Sequence, residues 1–461
     1  MLQTVRALIS EIESRLPEPN AKGLATAVSR TIRDGALRPG DRLPPIRLVA
    51  HELALSPTTV SAAWSVLARA GTIRTLGRRG TVVADASGPR DGRYRQAVHP
   101  AVQHQPEFVL DLSTGVPDEN LLPGLGPALR AVTTAGTPRS YLDDPVLPEL
   151  HDVLVQSWPY EPPALAVVDG ALDALDLVIR TTLAYGDRVV VEHPTFPPLL
   201  DLLEAAGVEV VGVPLDDEGM LPADLKEALA VPARAVLWQP RAHNPTGVST
   251  STKRVRELAD VLAGAGSDPG TLVIEDDSAS AISTSPDVTL GTALPGQTVH
   301  IRSWSKSHGP DLRLAAMSGP EDLLAEVRRL RQLGQGWSSR LLQRVLVHLL
   351  TEPESQDQVA AAQREYARRR EAFLAGLGAA GLSISCADGL NAWVPVHDEA
   401  AALVRLAAQG VGVAPGAPFA VLTEPQGHVR VTVGLVREHV DEVAAQVAAA
   451  ARTTGWGGRG R

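Results

Sequence analysis

The stretch that decides the fold is Ser303-Trp304-Ser305-Lys306-Ser307-His308-Gly309-Pro310-Asp311-Leu312-Arg313. The alternating run Val299-His300-Ile301 leads into it and predicts a strand, and the Gly309-Pro310 pair predicts where the regular structure ends. Lys306 is one of only four lysines among the 43 Lys and Arg residues. An amine, unlike a guanidinium group, can lose its proton and condense with an aldehyde. Lys306 is therefore a candidate catalytic residue.

The neighbours of Lys306 suit a phosphate. Ser303 and Ser305 offer hydroxyl donors, and Arg313 offers a planar fork that matches phosphate oxygens. Taken alone, a Ser-x-Lys pattern fits an ordinary surface loop equally well, so the interpretation depends on other parts of the chain.

Two upstream stretches favour the chemical interpretation. Thr271–Asp277 is an apolar strand that ends in carboxylates. Val236–Pro240 is another strand, and it runs into His243-Asn244-Pro245-Thr246-Gly247. Together with Lys306, these motifs resemble the aminotransferase-like (fold type I) pyridoxal-phosphate proteins in order and spacing.

The resemblance assigns roles to these residues. It implies that Lys306 holds pyridoxal 5'-phosphate as an internal aldimine and that Asn244 bonds the ring hydroxyl. It implies that Asp276, rather than Asp277, pairs with the pyridine nitrogen. Family members commonly follow the paired acids with tyrosine, where this chain has Ser278. Asn244 would then be the only side-chain donor to the ring oxygen.

Further family segments place the cofactor phosphate and the ligand. The resemblance implies that the backbone of Gly170, Ala171 and Leu172, before a helix expected over 173–182, holds the phosphate. Leu172 stands where a polar side chain is often found. Tyr141 would reach the cofactor phosphate of a partner subunit, although the glycine usual after this segment is absent. Gly115 would lie near the substrate.

Two residues keep a plain alternative. By resemblance Phe196 stacks on the cofactor ring, and a flat apolar side chain suits that task; the alternative is a core aromatic. Arg430 interrupts an apolar strand, where an unpaired charge is costly. By resemblance it clamps the carboxylate of an amino-acid ligand; the alternative is a structural ion pair.

Length and composition indicate a soluble protein of two or three domains. The chain has 461 residues, with 44% hydrophobic and 21% charged. No apolar run reaches membrane-spanning length, and the first residues lack the apolar core of a signal peptide. The single Cys386 excludes intrachain disulfides and leaves no cysteine-based metal site, so no metal is expected. We expect a cytoplasmic protein.

Charge is distributed unevenly along the chain. The net charge is −10, but residues 1–90 hold 13 Lys and Arg against 7 Asp and Glu, a balance of +6. The remaining residues hold 30 against 46, a balance of −16. This asymmetry indicates a basic, nucleic-acid-binding module joined to an acidic one, unless it is a chance fluctuation of the surface.

The basic module has the pattern of a small helical domain with a hairpin. We predict helices over 2–16, 21–34, 46–53 and 57–70, the last capped by Ser56 with Pro57 at its first position. Val60, Trp64 and Leu67 would face the core. The opposite face is small and polar, which suits a DNA groove, and carries Thr58, Thr59, Ser61 and Ser65. Two short strands, 72–74 and 81–83, would flank an arginine-bearing turn.

Residues 20–84 resemble the winged helix-turn-helix of the GntR family, whose connector pattern recurs at Gly35–Pro44. The resemblance implies a phosphate contact at Arg47, base reading by the start of the Ser56 helix, and a wing tip at Arg78, Arg79 and Gly80. Pro45 and Pro57 depart from the family, which usually has serine and arginine there, so one DNA contact is missing. Each arginine is also compatible with simple solvation.

The rest of the chain completes a multidomain organisation. Residues 85–108 lack apolar periodicity and are interpreted as a linker. From Leu110 short apolar strands alternate with helices, which predicts an α/β, mostly parallel sheet. A small C-terminal α+β subdomain follows from about residue 340. The predicted domains are therefore 1–84, α+β winged helix-turn-helix, and 109–455, aminotransferase-like.

This order of parts resembles the MocR/GabR-type regulators. The resemblance implies a double-stranded-DNA-binding transcription factor that carries pyridoxal phosphate on Lys306. An amine or amino-acid effector would displace Lys306 by aldimine exchange, and the active form would be a head-to-tail homodimer. Two alternatives remain open: an active aminotransferase with an accessory domain, and a regulator that senses pyridoxal phosphate itself.

Overall fold

The computed structural model describes residues 2–16, 18–33, 36–38, 40–69, 73–75, 80–83, 92–98, 108–132, 140–264, 270–423 and 425–454. The chain forms two compact units, Met1–Gly92 and Arg93–Arg461. Within the described ranges, no helix is both long and apolar enough to cross a membrane.

The described residues of the first unit form four helices and a pair of short strands, as the sequence predicts. The elements are α1 (Leu2–Glu13), α2 (Ala21–Arg33), α3 (Ile46–Glu52), α4 (Pro57–Arg69), β1 (Ile73–Thr75) and β2 (Thr81–Val83). The two strands pair antiparallel, with Ile73 opposite Val83. Val60, Trp64 and Leu67 of α4 are buried, in one core with residues of the other helices. The α4 face opposite to them carries Ser61 and Ser65, which are exposed.

Local chemistry explains where α4 begins. The Ser56 hydroxyl accepts a hydrogen bond from the backbone N–H of Thr59 at 3.0 Å, which satisfies one of the free donors at a helix start. Pro57 follows at the first helical position, where the missing N–H costs nothing.

The second unit begins inside the segment 85–108 that the sequence predicts to be a linker, and that prediction needs correction for residues 93–98. Residues Arg93–Val98 form a helix, α5. Its first N–H groups donate to the Asp201 carboxylate, from Arg93 at 2.9 Å and from Tyr94 at 3.2 Å. A distant carboxylate therefore fixes this helix, which is why local periodicity does not reveal it.

The second unit is built on an eight-stranded sheet. Its strands are β4 (Ala164–Val168), β5 (Arg188–His193), β6 (Glu209–Asp216), β7 (Gly219–Met220), β8 (Ala235–Trp238), β9 (Leu272–Asp277), β10 (Thr298–Ser303) and β11 (Ala315–Gly319). A short strand that precedes them, β3 (Leu110–Asp111), lies outside this sheet. The order is β4-β11-β10-β9-β8-β5-β6-β7. The pairs from β10 through β6 are all parallel, whereas β11 and β7 pair antiparallel. The predicted mostly parallel sheet is confirmed.

Helices cover both faces of this sheet, which is why its central strands are apolar throughout. The helices are α6 (Leu125–Ala131), α7 (Pro148–Ser157), α8 (Ala171–Thr182), α9 (Pro197–Ala206), α10 (Pro222–Ala228), α11 (Thr252–Gly264), α12 (Glu321–Gln332) and α13 (Arg340–Thr351). Val189 and Val191 pack in one core with α8, α9 and α12. Val190, between them, packs on the other face with α10 and α11.

A smaller antiparallel sheet forms the predicted C-terminal subdomain. The remaining elements are α14 (Pro353–Ala379), β12 (Ala392–Val396), α15 (Glu399–Ala408), β13 (Val411–Gly412), β14 (Ala414–Pro415), β15 (Gly427–Val431) and α16 (Val440–Ala451). The sheet order is β12-β15-β14, and β13 pairs parallel with β3. Because β15 is the central strand, it holds Arg430 in a fixed position.

Parallel pairing brings the chemistry-bearing residues to one edge. The carboxyl ends of β4, β5, β8, β9 and β10 all point the same way, and a ligand in such a sheet binds outside those ends. Gly170, Phe196, Asn244, Asp276 and Lys306 each follow or end one of these strands.

Candidate functional site

A cavity opens at this edge of the sheet. Its walls come from the strand ends and from the smaller subdomain, and consist of Phe196, Gln239, Arg241, Ala242, Asn244, Asp276, Ser278, Ala279, Ile282, Lys306, Leu390 and Asn391.

Lys306 lies at the centre of the site. Its Nζ donates to the Gly115 carbonyl oxygen at 2.6 Å. Burial, and secondarily the positive charge of Arg430, lower the pKa of Lys306 to about 8. A usable fraction of the amine is therefore unprotonated near neutral pH, which condensation with an aldehyde requires.

The two neighbouring aspartates have different surroundings. Asp277 accepts from Arg241 Nη2 at 2.6 Å and from Arg241 Nε at 3.2 Å, so it is part of a buried ion pair. Asp276 lines the cavity, and its Oδ1 is buried without a hydrogen-bond partner among the described residues. Burial raises the pKa of Asp276. Asp276 is thus the carboxylate available to a ring nitrogen.

Gln239 holds the floor of the cavity together. Its Nε2 donates to Asp276 Oδ2 at 3.0 Å, and its Oε1 accepts from the backbone N–H of Asn244 at 2.7 Å. The amide therefore fixes both Asp276 and Asn244. Gln239 is not among the site residues predicted from the sequence. A polar residue directly after a buried strand could have indicated it, as the position of Asp276 near the end of β9 indicated Asp276.

Arg430 approaches the site from the smaller subdomain. It is 3% exposed, donates from Nη1 to Asn244 Oδ1 at 3.3 Å and from Nη2 to the Ser113 carbonyl oxygen. Burial lowers the pKa of Arg430 to about 10. A side chain on Gly115, whose φ is +66°, would lie 3.1 Å from Nη1, so glycine is needed there.

A second group of residues forms a cradle at the start of α8. Arg313 has a left-handed backbone (φ 48°) and donates from Nη2 to the Asp169 carbonyl oxygen at 2.9 Å. Gly170 has φ 102°, and a Cβ there would lie 3.0 Å from Arg313 Nη2. Ala171 and Leu172 begin the helix, so their N–H groups point toward the same place. Ser303 and Ser305 hydrogen-bond each other at 3.2 Å between their hydroxyl oxygens.

Phe196 lies between the core of the large sheet and the cavity, so its position is compatible both with a core aromatic and with stacking on a cofactor. It is half-buried, packs against the core of the large sheet, and also lines the cavity. Ser278 lines the cavity too. Tyr141 is 88% exposed and stacks on Trp337 with ring centroids 5.7 Å apart, so within one chain it lies outside the cavity.

Two further residues that line the cavity, Arg241 and Asn391, are not predicted as site residues from the sequence. Arg241 has its charge neutralised by Asp277 and Asp287. Asn391 is 8% exposed, and its Oδ1 has no hydrogen-bond partner in the described part of the chain. A polar residue between Leu390 and Ala392 at the start of an apolar strand would have been the available sign.

The predicted DNA-contacting residues lie in the first unit. Arg47, Ser56, Thr58 and Ser61 are exposed, and Thr59 is half-buried. Gly80 precedes β2 with a positive φ of 88°. Arg78 and Arg79 lie outside the described residues, so the wing tip is still a sequence-based prediction.

The residues present fit one kind of cofactor. An amine suits an aldehyde, an unpartnered carboxylate oxygen suits a ring nitrogen, and Phe196 offers an aromatic wall. The Gly170 cradle, which a Cβ would fill, offers N–H groups and a guanidinium for a phosphate. These features define a pyridoxal-phosphate protein of the aminotransferase fold that also carries a winged helix-turn-helix.

Comparison with known proteins agrees with both parts. Residues 107–447 match the family model for aminotransferase class I and II, and residues 20–83 match that for bacterial regulatory proteins of the gntR family. The chain belongs to the MocR-type transcriptional regulators, which join a GntR helix-turn-helix to an aminotransferase-like domain. Its cofactor is pyridoxal 5'-phosphate.

Two relatives have the same organisation over almost their full length. The vitamin B6 salvage pathway transcriptional repressor PtsJ of Salmonella typhimurium is 36% identical, over 93% of this chain and 97% of its own. The HTH-type transcriptional regulator TauR of Rhodobacter capsulatus is 29% identical, over 88% and 92%. Among solved structures, LysN, an α-aminoadipate aminotransferase of Thermus thermophilus, has a TM-score of 0.66 at 21% identity, over 74% of this chain and 91% of its own. That likeness concerns the fold.

Proposed function

We propose that this regulator responds to an amine or amino acid that competes with Lys306 for pyridoxal phosphate, and that this exchange changes the DNA affinity of the first unit. Bound pyridoxal phosphate supplies an aldehyde, which condenses with primary amines. The Nζ of Lys306 is held by the Gly115 carbonyl, and its pKa is lowered to about 8, so it is suited to condense with that aldehyde. An effector that binds better than Lys306 in one state shifts the protein toward that state.

The observation that carries this proposal is the unpaired charge of Arg430. It is buried, lies against Gly115, and forms no salt bridge among the described residues, although the charge of Asp111 acts on it from a distance. A buried cation without an ion-pair partner is costly, so an anionic ligand group would bind there favourably. A carboxylate at Arg430 and an amine at the Lys306 position together describe an amino acid.

A second candidate effector is pyridoxal phosphate itself. The observation that favours it is the 36% identity to PtsJ, a relative named as a repressor of vitamin B6 salvage. In that case occupation of the Gly170 cradle and Lys306 would be the signal, without any amine. The third alternative, aminotransferase turnover, would require the same site to pass a proton from the ligand to Lys306.

The first unit would bind double-stranded DNA through α4, with Arg47 and the wing arginines neutralising phosphates. We also propose a cytoplasmic homodimer in which exposed Tyr141 meets the cofactor phosphate of the other subunit.

The test is footprinting and titration of the adjacent intergenic DNA with the full chain. Three states are compared: cofactor-free, loaded with pyridoxal phosphate, and loaded in the presence of a panel of amines and amino acids. A change that requires the amine supports the first candidate, and a change on adding cofactor alone supports the second. Lys306→Ala should remove both responses and leave DNA binding intact. If neither addition changes DNA affinity, the regulator does not sense through this site. Steady turnover of an amino donor with 2-oxoglutarate would instead identify an enzyme.

A further inference from the structure

The end of the cavity opposite the large sheet contains one polar side chain with no assigned role. Asn391 is 8% exposed and lines the same cavity as Lys306. Its Oδ1 has no hydrogen-bond partner among the residues that the structure describes. A buried amide oxygen without a hydrogen bond costs free energy, so we expect a ligand to supply the missing donor.

The loop that carries Asn391 is rigid. Asp388 accepts from Ser249 Oγ at 3.0 Å and from the backbone N–H of Gly389 at 2.8 Å and Thr284 at 3.1 Å. The carbonyl of Asn391 itself accepts from Cys386 Sγ at 3.1 Å. The backbone that carries the amide is therefore held in place before any ligand arrives, which favours a specificity-determining role.

The surroundings of Asn391 carry little net charge. Arg241 is neutralised by Asp277 and Asp287, and Ala279, Ile282 and Leu390 are apolar. The other charged lining residues, Asp276 and Lys306, are those that would hold the cofactor, so a charged ligand side chain would find no free counter-charge here and would lose its hydration. An uncharged side chain that can hydrogen-bond the Asn391 amide would not pay this cost.

We propose that Asn391 selects effectors whose side chain is uncharged and carries a hydroxyl or carboxamide. This inference rests on the proposed function, in that it concerns an amino-acid effector bound between Lys306 and Arg430. An amide can both donate and accept, so it bonds either group.

The test titrates the full chain, loaded with pyridoxal phosphate, with L-serine against L-alanine and with L-glutamine against L-glutamate and L-lysine. The visible absorbance of the cofactor and the shift in Tm both report binding. We expect wild type to prefer serine and glutamine by about tenfold, the usual effect of one unpaired polar group. Asn391→Ala should lose this preference, and Asn391→Asp should gain affinity for lysine. Gln409→Ala, an exposed amide at the end of α15, is the matched control and should behave as wild type.

Two results would overturn the proposal, and only the second would also overturn the proposed function. If amino acids bind but Asn391→Ala keeps the wild-type preference, only the role of Asn391 is wrong. If no amino acid changes the absorbance or Tm of wild type, amine sensing fails together with it.

A second inference comes from α5, the first helix after the segment that joins the two units. Arg93 Nη1 donates to the Ala420 carbonyl at 3.0 Å and to the Pro418 carbonyl at 3.4 Å, on either side of Phe419. Ala97 of the same helix is buried in one cluster with Phe419. The Phe419 ring lies 5.2 Å from Arg430 Cζ. One buried ring thus contacts both the helix and the ligand-binding guanidinium.

We infer that Phe419 transmits ligand binding at Arg430 to α5, and so to the segment that tethers the DNA-binding unit. This regulation depends on the proposed function, because it needs a ligand at the site. A carboxylate that takes hydrogen bonds from Arg430 would change how the guanidinium lies on the ring, and packed groups respond by shifting together.

The test measures the ratio of DNA affinities with and without ligand, using pyridoxal phosphate alone and with the amino-acid panel. Arg93→Gln and Asp201→Asn each weaken one attachment of α5 and should bring this ratio close to one, while affinity for pyridoxal phosphate stays within about twofold. Arg405→Gln, an arginine with one long bond to Thr453, is the matched control. A wild-type ratio in both variants overturns the inference. If the DNA affinity of the wild type is the same with and without ligand, the proposed function itself is wrong, and this inference falls with it.

Discussion

At the scale of single residues, the buried amine of Lys306 makes stability depend on pH. Burial lowers its pKa to about 8 in the folded chain, against 10.5 for an unhindered lysine. Between these values the unfolded chain binds more protons, so stability rises with pH from about 8 to 10.5. Below pH 8 both states are protonated, and the full cost of burying the charge applies.

We therefore expect Lys306→Met to stabilise the cofactor-free chain by about 3 kcal/mol at pH 7. The gain should shrink as pH rises above 8 and vanish above about 10.5. Denaturant unfolding at several pH values measures it. Lys253→Met, which removes an exposed lysine paired with Glu257, is the control and should change stability by less than about 0.5 kcal/mol. A gain that does not vary with pH would contradict the assignment.

Ser278 tests how the cofactor ring is held. A phenol at this cavity-lining position would place a donor at the ring oxygen of bound pyridoxal phosphate. That oxygen would then stabilise a neighbouring positive charge less well. Ser278→Tyr should lower the pKa reported by the visible absorbance of the bound cofactor, and Ser278→Ala should not. If the tyrosine variant titrates at the wild-type pH, Ser278 does not face the ring oxygen.

At the scale of elements, the start of α8 is shaped by one glycine. Gly170 has φ 102° and lies against Arg313, so a methyl group would both strain the backbone and displace the guanidinium. Gly170→Ala should weaken pyridoxal-phosphate binding by about tenfold or more, measured by equilibrium titration. Gly186→Ala is the matched control: its φ is +84°, but an added Cβ would meet open space. Both variants lose stability, and only the first should lose cofactor affinity.

Helix α4 depends on its N-terminal cap. Ser56→Ala removes the acceptor for Thr59 N–H and should destabilise the first unit by about 1 kcal/mol. Hydrogen exchange of the α4 amides in the full chain measures this locally. Ser61→Ala, on the exposed face of the same helix, should leave exchange unchanged and weaken DNA binding. Equal protection in Ser56→Ala and wild type would show that the cap contributes nothing.

At the scale of the whole molecule, the opposite net charges of the first 90 residues and the rest of the chain govern association with DNA. The basic first 90 residues carry +6 and the rest −16, so binding should depend on phosphate contacts and fall steeply with salt. Each phosphate contact contributes about 0.9 to the slope of log affinity against log salt. Replacing Arg78 and Arg79 with alanine should flatten the slope, and Arg368→Ala, in the second unit, should not. An unchanged slope would exclude the wing from the interface.

Much of this molecule follows from local sequence. Three short motifs predict the cofactor and the parallel sheet: the Ser303–Arg313 stretch, the Asn244 loop and the acids after Ile274. Each can be recognised from the sequence because its residues are contiguous in the chain. The winged helix module is equally readable, since the apolar spacing of α4 and the cap at Ser56 act within a few residues.

Tertiary structure decides what depends on partners distant in the chain. Resemblance alone favours Asp276 over Asp277, and the physical reason appears only in the fold, where Asp277 pairs with Arg241 and Asp276 lines the cavity. Helix α5 exists where a linker is predicted because Asp201 caps it from α9. Gln239 and Asn391 each carry a local sign in the sequence, but only the fold shows that they line one cavity. Motif chemistry is local and can be read directly, whereas burial and pairing arise from the fold.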